Sequence, residues 1–235
     1  MTTKALANPI IVALDLPSSA DARSLIVRIG PRVNFYKVGY ELYAAAGMDF
    51  VRELLAEGKQ VFLDLKFYDI PETVSRATAR VAEIGVRFLT VHAVSSVMRA
   101  AVAARAGTSL QLLGVTVLTS FGPEDMDDFG YQGTIADLVS RRAAKAIELG
   151  VDGVVASPLE ARAVRDIIGR QAILVTPGVR SAGADPGDQR RVATPAQAVL
   201  DGADYVVLGR QITRAADPAA EVDRVLLELA EGVRA

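Results

Sequence analysis

The chain has 235 residues, 51% of them hydrophobic and 23% charged, with a net charge of −2. That is enough apolar material for a large core, and the near-neutral balance gives no electrostatic case for nucleic-acid binding. The absence of cysteine excludes disulfides, thiolate metal sites and a thiol nucleophile, and no apolar run approaches the roughly 20 residues of a membrane span.

The sequence begins Met1-Thr2-Thr3-Lys4, without the apolar core or small-residue cleavage pattern of a signal peptide, so a cytoplasmic protein is expected. Short β-branched runs then alternate with longer segments of apolar period near 3.6. In chain order the pattern predicts strand 10–16, helix 22–29, strand 34–38, helix 49–57, strand 60–65 and helix 72–84. It continues with strand 88–92, helix 95–106, strand 112–118, helix 135–149, strand 153–156 and helix 159–168. Strand 172–175, helix 195–200, strand 205–208 and helix 219–230 complete it. The strands are almost continuously apolar, as parallel strands covered on both faces must be. Gly58, Gly85, Gly107, Gly150, Gly169 and Gly202 stand where helix C-terminal caps are expected. Strand then helix, repeated about eight times over this length, predicts an α/β fold. Specifically, residues 1–235 are expected to form one (β/α)8 TIM-barrel domain. An open doubly wound sheet would want a Gly-rich phosphate turn after its first strand, and the sequence there reads Ala13-Leu14-Asp15-Leu16-Pro17.

In a barrel the C-terminal strand ends carry the chemistry. Five of the 26 basic residues are lysines: Lys4, Lys37, Lys59, Lys66 and Lys145. Two of them end strands, and lysine, unlike arginine, readily gives up a proton from a compact ammonium. Asp15 ends the first strand and Lys37 the second. Asp64 and Lys66 lie near the end of the third, two apart and therefore on one side of a regular strand. Four converging charges of alternating sign are either a structural ion-pair network or a site, and their recurrence on three consecutive strands favours a site. His92, the lone histidine, ends the fourth strand and is read as a packing residue. Thr119 and Ser120 follow the fifth strand, where they either face a ligand's amide edge or cap the next segment. After the seventh strand, a long Gly- and Arg-rich loop from Thr176 through Arg180 and Gln189 to Arg191 has the make-up of a flap. With Gly209-Arg210 after the eighth strand, it marks the usual barrel phosphate site.

The segment Asp64-Leu65-Lys66-Phe67-Tyr68-Asp69-Ile70-Pro71-Glu72-Thr73 carries the pattern Asp-x-Lys-x-x-Asp-Ile-Pro-x-Thr. It is joined in order by Val12-Ala13-Leu14-Asp15, Tyr36-Lys37-Val38-Gly39, Thr90-Val91-His92-Ala93, Leu118-Thr119-Ser120, Thr176-Pro177-Gly178-Val179-Arg180 and Gly209-Arg210. Over essentially its whole length the chain resembles the bacterial orotidine 5′-phosphate decarboxylases. The resemblance implies that Lys37, Asp64, Lys66 and Asp69 form a catalytic charge array in which Lys66 donates a proton to the pyrimidine C6. It implies that Asp15 and Lys37 bind the ribose, that Thr119 meets the pyrimidine edge, and that Arg180, Gln189, Gly209 and Arg210 hold the phosphate. Ile70 and Pro71 count among the substrate-binding positions. Asp69 and Thr73 would serve the neighbouring subunit of a homodimer. Tyr68 departs from the histidine expected in many relatives, at a position with none of these roles. No metal and no organic cofactor is implied.

Loss of CO2 leaves a carbanion with no π-system to absorb its charge. Without an organic electron sink the protein must stabilise that charge electrostatically, which a lysine ammonium does before delivering its proton. Related enzymes on the same barrel, of the 3-keto-L-gulonate 6-phosphate decarboxylase and hexulose-phosphate synthase kind, instead use Mg2+ held by carboxylates. They place an acid where this chain has Lys37, and a cation there repels the metal. A non-catalytic nucleotide-binding barrel is the remaining alternative.

Overall fold

The computed structural model describes residues 8–181 and 193–232. Among them, eight parallel strands close into a barrel. They are β1 (Ile10–Ala13), β2 (Phe35–Gly39), β3 (Gln60–Phe67), β4 (Phe88–His92), β5 (Gln111–Val115), β6 (Gly153–Val155), β7 (Ile173–Pro177) and β8 (Tyr205–Leu208). Each pairs with the next, and β1 closes on β8 through Ile10↔Val206 and Val12↔Leu208.

Alternation along the strands divides the core in two. Ile11, Ala13, Phe35, Phe62, Phe88, Leu113, Val175, Tyr205 and Val207 fill the barrel interior. Their strand neighbours, such as Ile10, Val12, Tyr36, Val61, Leu63 and Leu89, face outward into a larger layer shared with the helices. Both faces are dry, which is why the strand sequences lack polar alternation.

The helices that cover the sheet start and stop on local signals. In α1 (Ser19–Ile29), Ser18 caps the start by accepting the Asp21 N–H at 3.1 Å. α3 (Pro71–Ile84) begins on a proline, which needs no N–H partner there, and ends at Gly85, whose φ of 90° stops the helix. α4 spans Ser95–Ala104, α6 Ile135–Glu148, α7 Ala161–Ile168, α8 Pro195–Leu200 and α10 Pro218–Gly232. Thr134 and Asp137 form a reciprocal capping box at the start of α6.

Several boundaries differ from the sequence pattern. β1 and β5 stop at Ala13 and Val115, so Asp15 and Thr119 stand on the loops beyond them. β3 runs further, to Phe67, with a register shift against β4 between Leu63 and Phe67. α2 (Tyr40–Ala56) starts well before residue 49, and a non-helical Gly47 (φ 64°) joins its two helical pieces. α5 (Pro123–Asp128) and α9 (Arg210–Thr213) are too short for a periodicity to reveal. Among the described residues no helix is long and apolar enough to cross a membrane.

Candidate active site

The register shift in β3 reshapes the backbone where the charges lie. Lys66 has φ 41°, the one positive φ outside glycine among the described residues, a conformation that costs on the order of 1–3 kcal/mol and persists only when its surroundings impose it. Its N–H leaves the sheet ladder and donates to Thr90 Oγ1 at 2.9 Å. The Thr90 hydroxyl in turn donates to Asp64 Oδ1 at 2.9 Å. The Lys66 ammonium curls back to donate to Asp64 Oδ2, also at 2.9 Å.

The other two charges join the same row. Lys37 Nζ donates to Asp15 Oδ1 at 2.9 Å and stands 3.5 Å from Asp64 Oδ2. The order in space is therefore Asp15, Lys37, Asp64, Lys66, alternating in sign. Lys37 and Asp64 are 8% and 9% exposed, so neither could stay charged without the other. Burial works against the Lys37 ammonium, but Asp64 and Asp15 outweigh it and hold its pKa above the ordinary lysine value. Burial likewise disfavours the Asp64 carboxylate, yet Lys37, Lys66 and the bonds from Lys66 and Thr90 keep its pKa below the usual range. Both groups are fully ionised at neutral pH.

The row forms one wall of a cavity of about 860 Å3 at the C-terminal mouth of the barrel. Asp15, Lys37, Asp64, Lys66, Thr119, Arg180, Gly209 and Arg210 all line it. Val179 bridges Ala193 in parallel, and the Arg180 N–H donates to Ala193 O at 3.0 Å, so the described ends of the long loop meet beside the cavity. Gln211 fastens that junction, accepting the Ser181 N–H at 3.1 Å and donating to Ser181 Oγ at 2.9 Å. Arg180 and Arg210 thus add two arginines to a lining that also holds the lysine–aspartate row. A dianion and a group developing negative charge both fit such a lining.

Not every expected position is there. Gln189 lies outside the described residues, as does most of the expected flap. Asp69, Ile70, Pro71 and Thr73 are exposed and do not line the cavity of their own chain. The Asp69 carboxylate accepts the Ile70 N–H at 2.6 Å, and Ile70 itself is 65% exposed. His92 sits outside the cavity lining with its ring 5.3 Å from that of Tyr68. Burial, then Arg142 and Lys66, lower its pKa, so it is neutral at physiological pH. Tyr40, Thr213 and Arg214 line the cavity without having been expected. Tyr40 follows β2 directly, and its place at a strand's C-terminal end was the available signal. Arg214 lies one helical turn beyond Arg210. Among the described residues no three Asp, Glu or His side chains gather as a metal would require.

The model of the "Orotidine 5′-phosphate decarboxylase / HUMPS family" matches residues 8–225. An orotidine 5′-phosphate decarboxylase of Bradyrhizobium sp. (strain ORS 278) is 50% identical over 224 residues, 95% of this chain and 92% of that protein. Another, of Methylorubrum extorquens (strain PA1), is 51% identical over 220 residues, 94% of each chain. The crystal structure of orotidine 5′-phosphate decarboxylase from Lactobacillus acidophilus superposes with a TM-score of 0.83 at 36% identity, covering 94% of this chain and 99% of that one. Matched over nearly its whole length in sequence and in fold, the chain belongs to the orotidine 5′-phosphate decarboxylase / HUMPS family.

Proposed function

We propose that the chain decarboxylates orotidine 5′-monophosphate to uridine 5′-monophosphate and CO2 without a metal or an organic cofactor. The C6–carboxylate bond breaks, its electron pair stays on C6, and Lys66 stabilises and then protonates that carbon. Asp64 aims the Lys66 ammonium through the 2.9 Å bond between them. Lys37 and Asp15 bind the ribose hydroxyls, and Thr119 meets the pyrimidine edge. Arg180, Gln189, Gly209 and Arg210 bind the phosphate, whose remote binding energy helps pay for ordering the reacting end. Asp69 completes the charge array from a second subunit, with Ile70, Pro71 and Thr73 beside it, so the working unit is a homodimer. Two observations favour that last point: these residues stand away from their own chain's cavity, and Ile70 and Tyr68 expose apolar surface next to Asp69.

The observation that carries the reading is Lys37 between two carboxylates, 2.9 Å from Asp15 and 3.5 Å from Asp64. The family includes Mg2+-dependent chemistry, and a metal would need those carboxylates. Here an ammonium already neutralises them. The curated relatives at about half identity also bear the decarboxylase name. The deciding measurement is the absorbance of orotidine 5′-monophosphate in buffer stripped of metal with EDTA. Full turnover is expected. Activity abolished by EDTA and restored by Mg2+ would establish the metal-dependent alternative. Binding of uridine 5′-monophosphate with no change in orotidine absorbance would establish a non-catalytic nucleotide-binding barrel.

A further inference from the structure

We propose that Tyr40 is a positioning residue for Lys66, holding both the strained backbone and the ammonium of the proton donor. The inference deepens the decarboxylase reading and rests on Lys66 as that donor. Tyr40 is the first residue of α2, directly after β2. Its hydroxyl donates to Leu65 O at 2.6 Å. That carbonyl belongs to the same peptide group as the Lys66 N–H, which donates to Thr90 Oγ1 at 2.9 Å on the β4 side. A peptide group is planar, so a bond at each end fixes its orientation and with it the φ of 41° that Lys66 would not otherwise adopt. The same tyrosine ring lies 5.6 Å from Lys66 Nζ, within the range at which an aromatic face attracts an ammonium.

One side chain thus touches Lys66 at its peptide and at its head. Thr90 grips the peptide from inside the barrel and also orients Asp64, so the two clamps enter from opposite sides of β3. Burial, and then the charge of Asp64, raise the Tyr40 pKa, which keeps the hydroxyl protonated and able to donate. Packing does not explain the residue, because Tyr40 is 59% exposed and absent from the buried core. Removing its hydroxyl leaves the core intact.

The test is Tyr40→Phe, assayed beside Lys66→Ala and the parent enzyme. Tyr40→Phe loses one bond to the Leu65 carbonyl and keeps the ring. The kcat should fall about tenfold while KM stays within about twofold, since a small misplacement of a reacting group lowers the rate far more than it lowers affinity. Exchange of the C6 hydrogen of uridine 5′-monophosphate with D2O should slow in parallel, because the group that delivers that proton also removes it. Tyr40→Ala, which loses the ring as well, should fall further. A kcat for Tyr40→Phe within twofold of the parent, with Lys66→Ala inactive, would overturn the proposal and leave the decarboxylase reading standing. A loss confined to KM, or a lower thermal midpoint with unchanged kcat per folded molecule, would overturn it equally. Near-normal turnover by Lys66→Ala would instead remove the proton donor itself, and this inference with it.

Discussion

Gly39 ends β2 with φ −104° and ψ −171°, values open to any residue, so backbone freedom does not account for it. Space does. A Cβ there would lie 2.8 Å from Lys37 Nζ and 3.0 Å from Asp15 Oδ1. Both atoms end flexible side chains and can move at little cost to the fold, but moving them pulls Lys37 away from its carboxylates. Gly39→Ala should therefore keep its thermal midpoint within about 3 °C of the parent and lose about tenfold or more in kcat/KM. Unchanged activity would mean that the row of charges tolerates displacement. At this scale the sequence is readable where charge type and strand position coincide. Lys37 and Lys66 were visible because lysines are scarce and these two stand at strand ends, and Asp64 because it lies two residues before Lys66. The geometry of Lys66 was not. A spacing of two places Asp64 and Lys66 on one side of a regular strand, and nothing in the residue types announces the register shift that bends β3. Tyr40 was hidden for a similar reason, since the group it binds is a main-chain carbonyl on another strand.

β4 serves both ends of the barrel. Thr90, near its C-terminal end, ties Lys66 to Asp64. Arg87, just before its first residue, plugs the opposite end. The guanidinium lies 5.2–5.4 Å from the ring centres of Phe35, Phe88 and Tyr205, donates to Tyr205 Oη at 2.6 Å, and reaches Gln60 Oε1. Positions at the N-terminal ends of barrel strands bear on stability more than on chemistry. Arg87→Leu keeps much of the apolar volume but leaves Tyr205 and Gln60 without their donor. It should lower the unfolding free energy by about 1–3 kcal/mol, with kcat/KM within about twofold of the parent. Denaturant titration together with a steady-state assay separates the two effects, and a matching loss of activity would show that the two ends of the barrel are coupled. The strands were legible as elements because burial on both faces leaves a continuous apolar run. Their ends were less so, because a barrel strand stops where its neighbour's ladder stops, and Leu16 and Leu118 are apolar residues lying past that point. α2 was shortened for a different reason: Gly47 interrupts the helix, and of its buried residues Phe50, Val51 and Leu54 all lie in the second piece, with Leu42 alone in the first.

For the whole molecule, the alternation of strands and helices determined the closed sheet, and closure brings residues from β1, β2, β3, β7 and β8 to one mouth. What lies beyond a single chain is not written in periodicity. The exposed run from Asp69 to Thr73 reads in isolation as an ordinary helix start, with Pro71 at its first position. In the proposed homodimer its acid and its apolar neighbours would meet a second copy. The proposed homodimer makes a strict prediction. Lys66→Ala and Asp69→Ala should each be inactive as pure proteins, because every site in each lacks one of the two groups. After mixing and subunit exchange, a hybrid dimer holds one site with the Lys66 of one chain and the Asp69 of the other, and a second site lacking both. Random reassortment through a two-fold interface makes half of the dimers hybrid, so about a quarter of all sites are restored. Activity should rise to about a quarter of the parent's per site and track the fraction of hybrid, measured by mass spectrometry of the native dimers. If hybrids form and no activity returns, Asp69 acts within its own chain. Its exposed position would then have to change on substrate binding, rather than be completed by a partner.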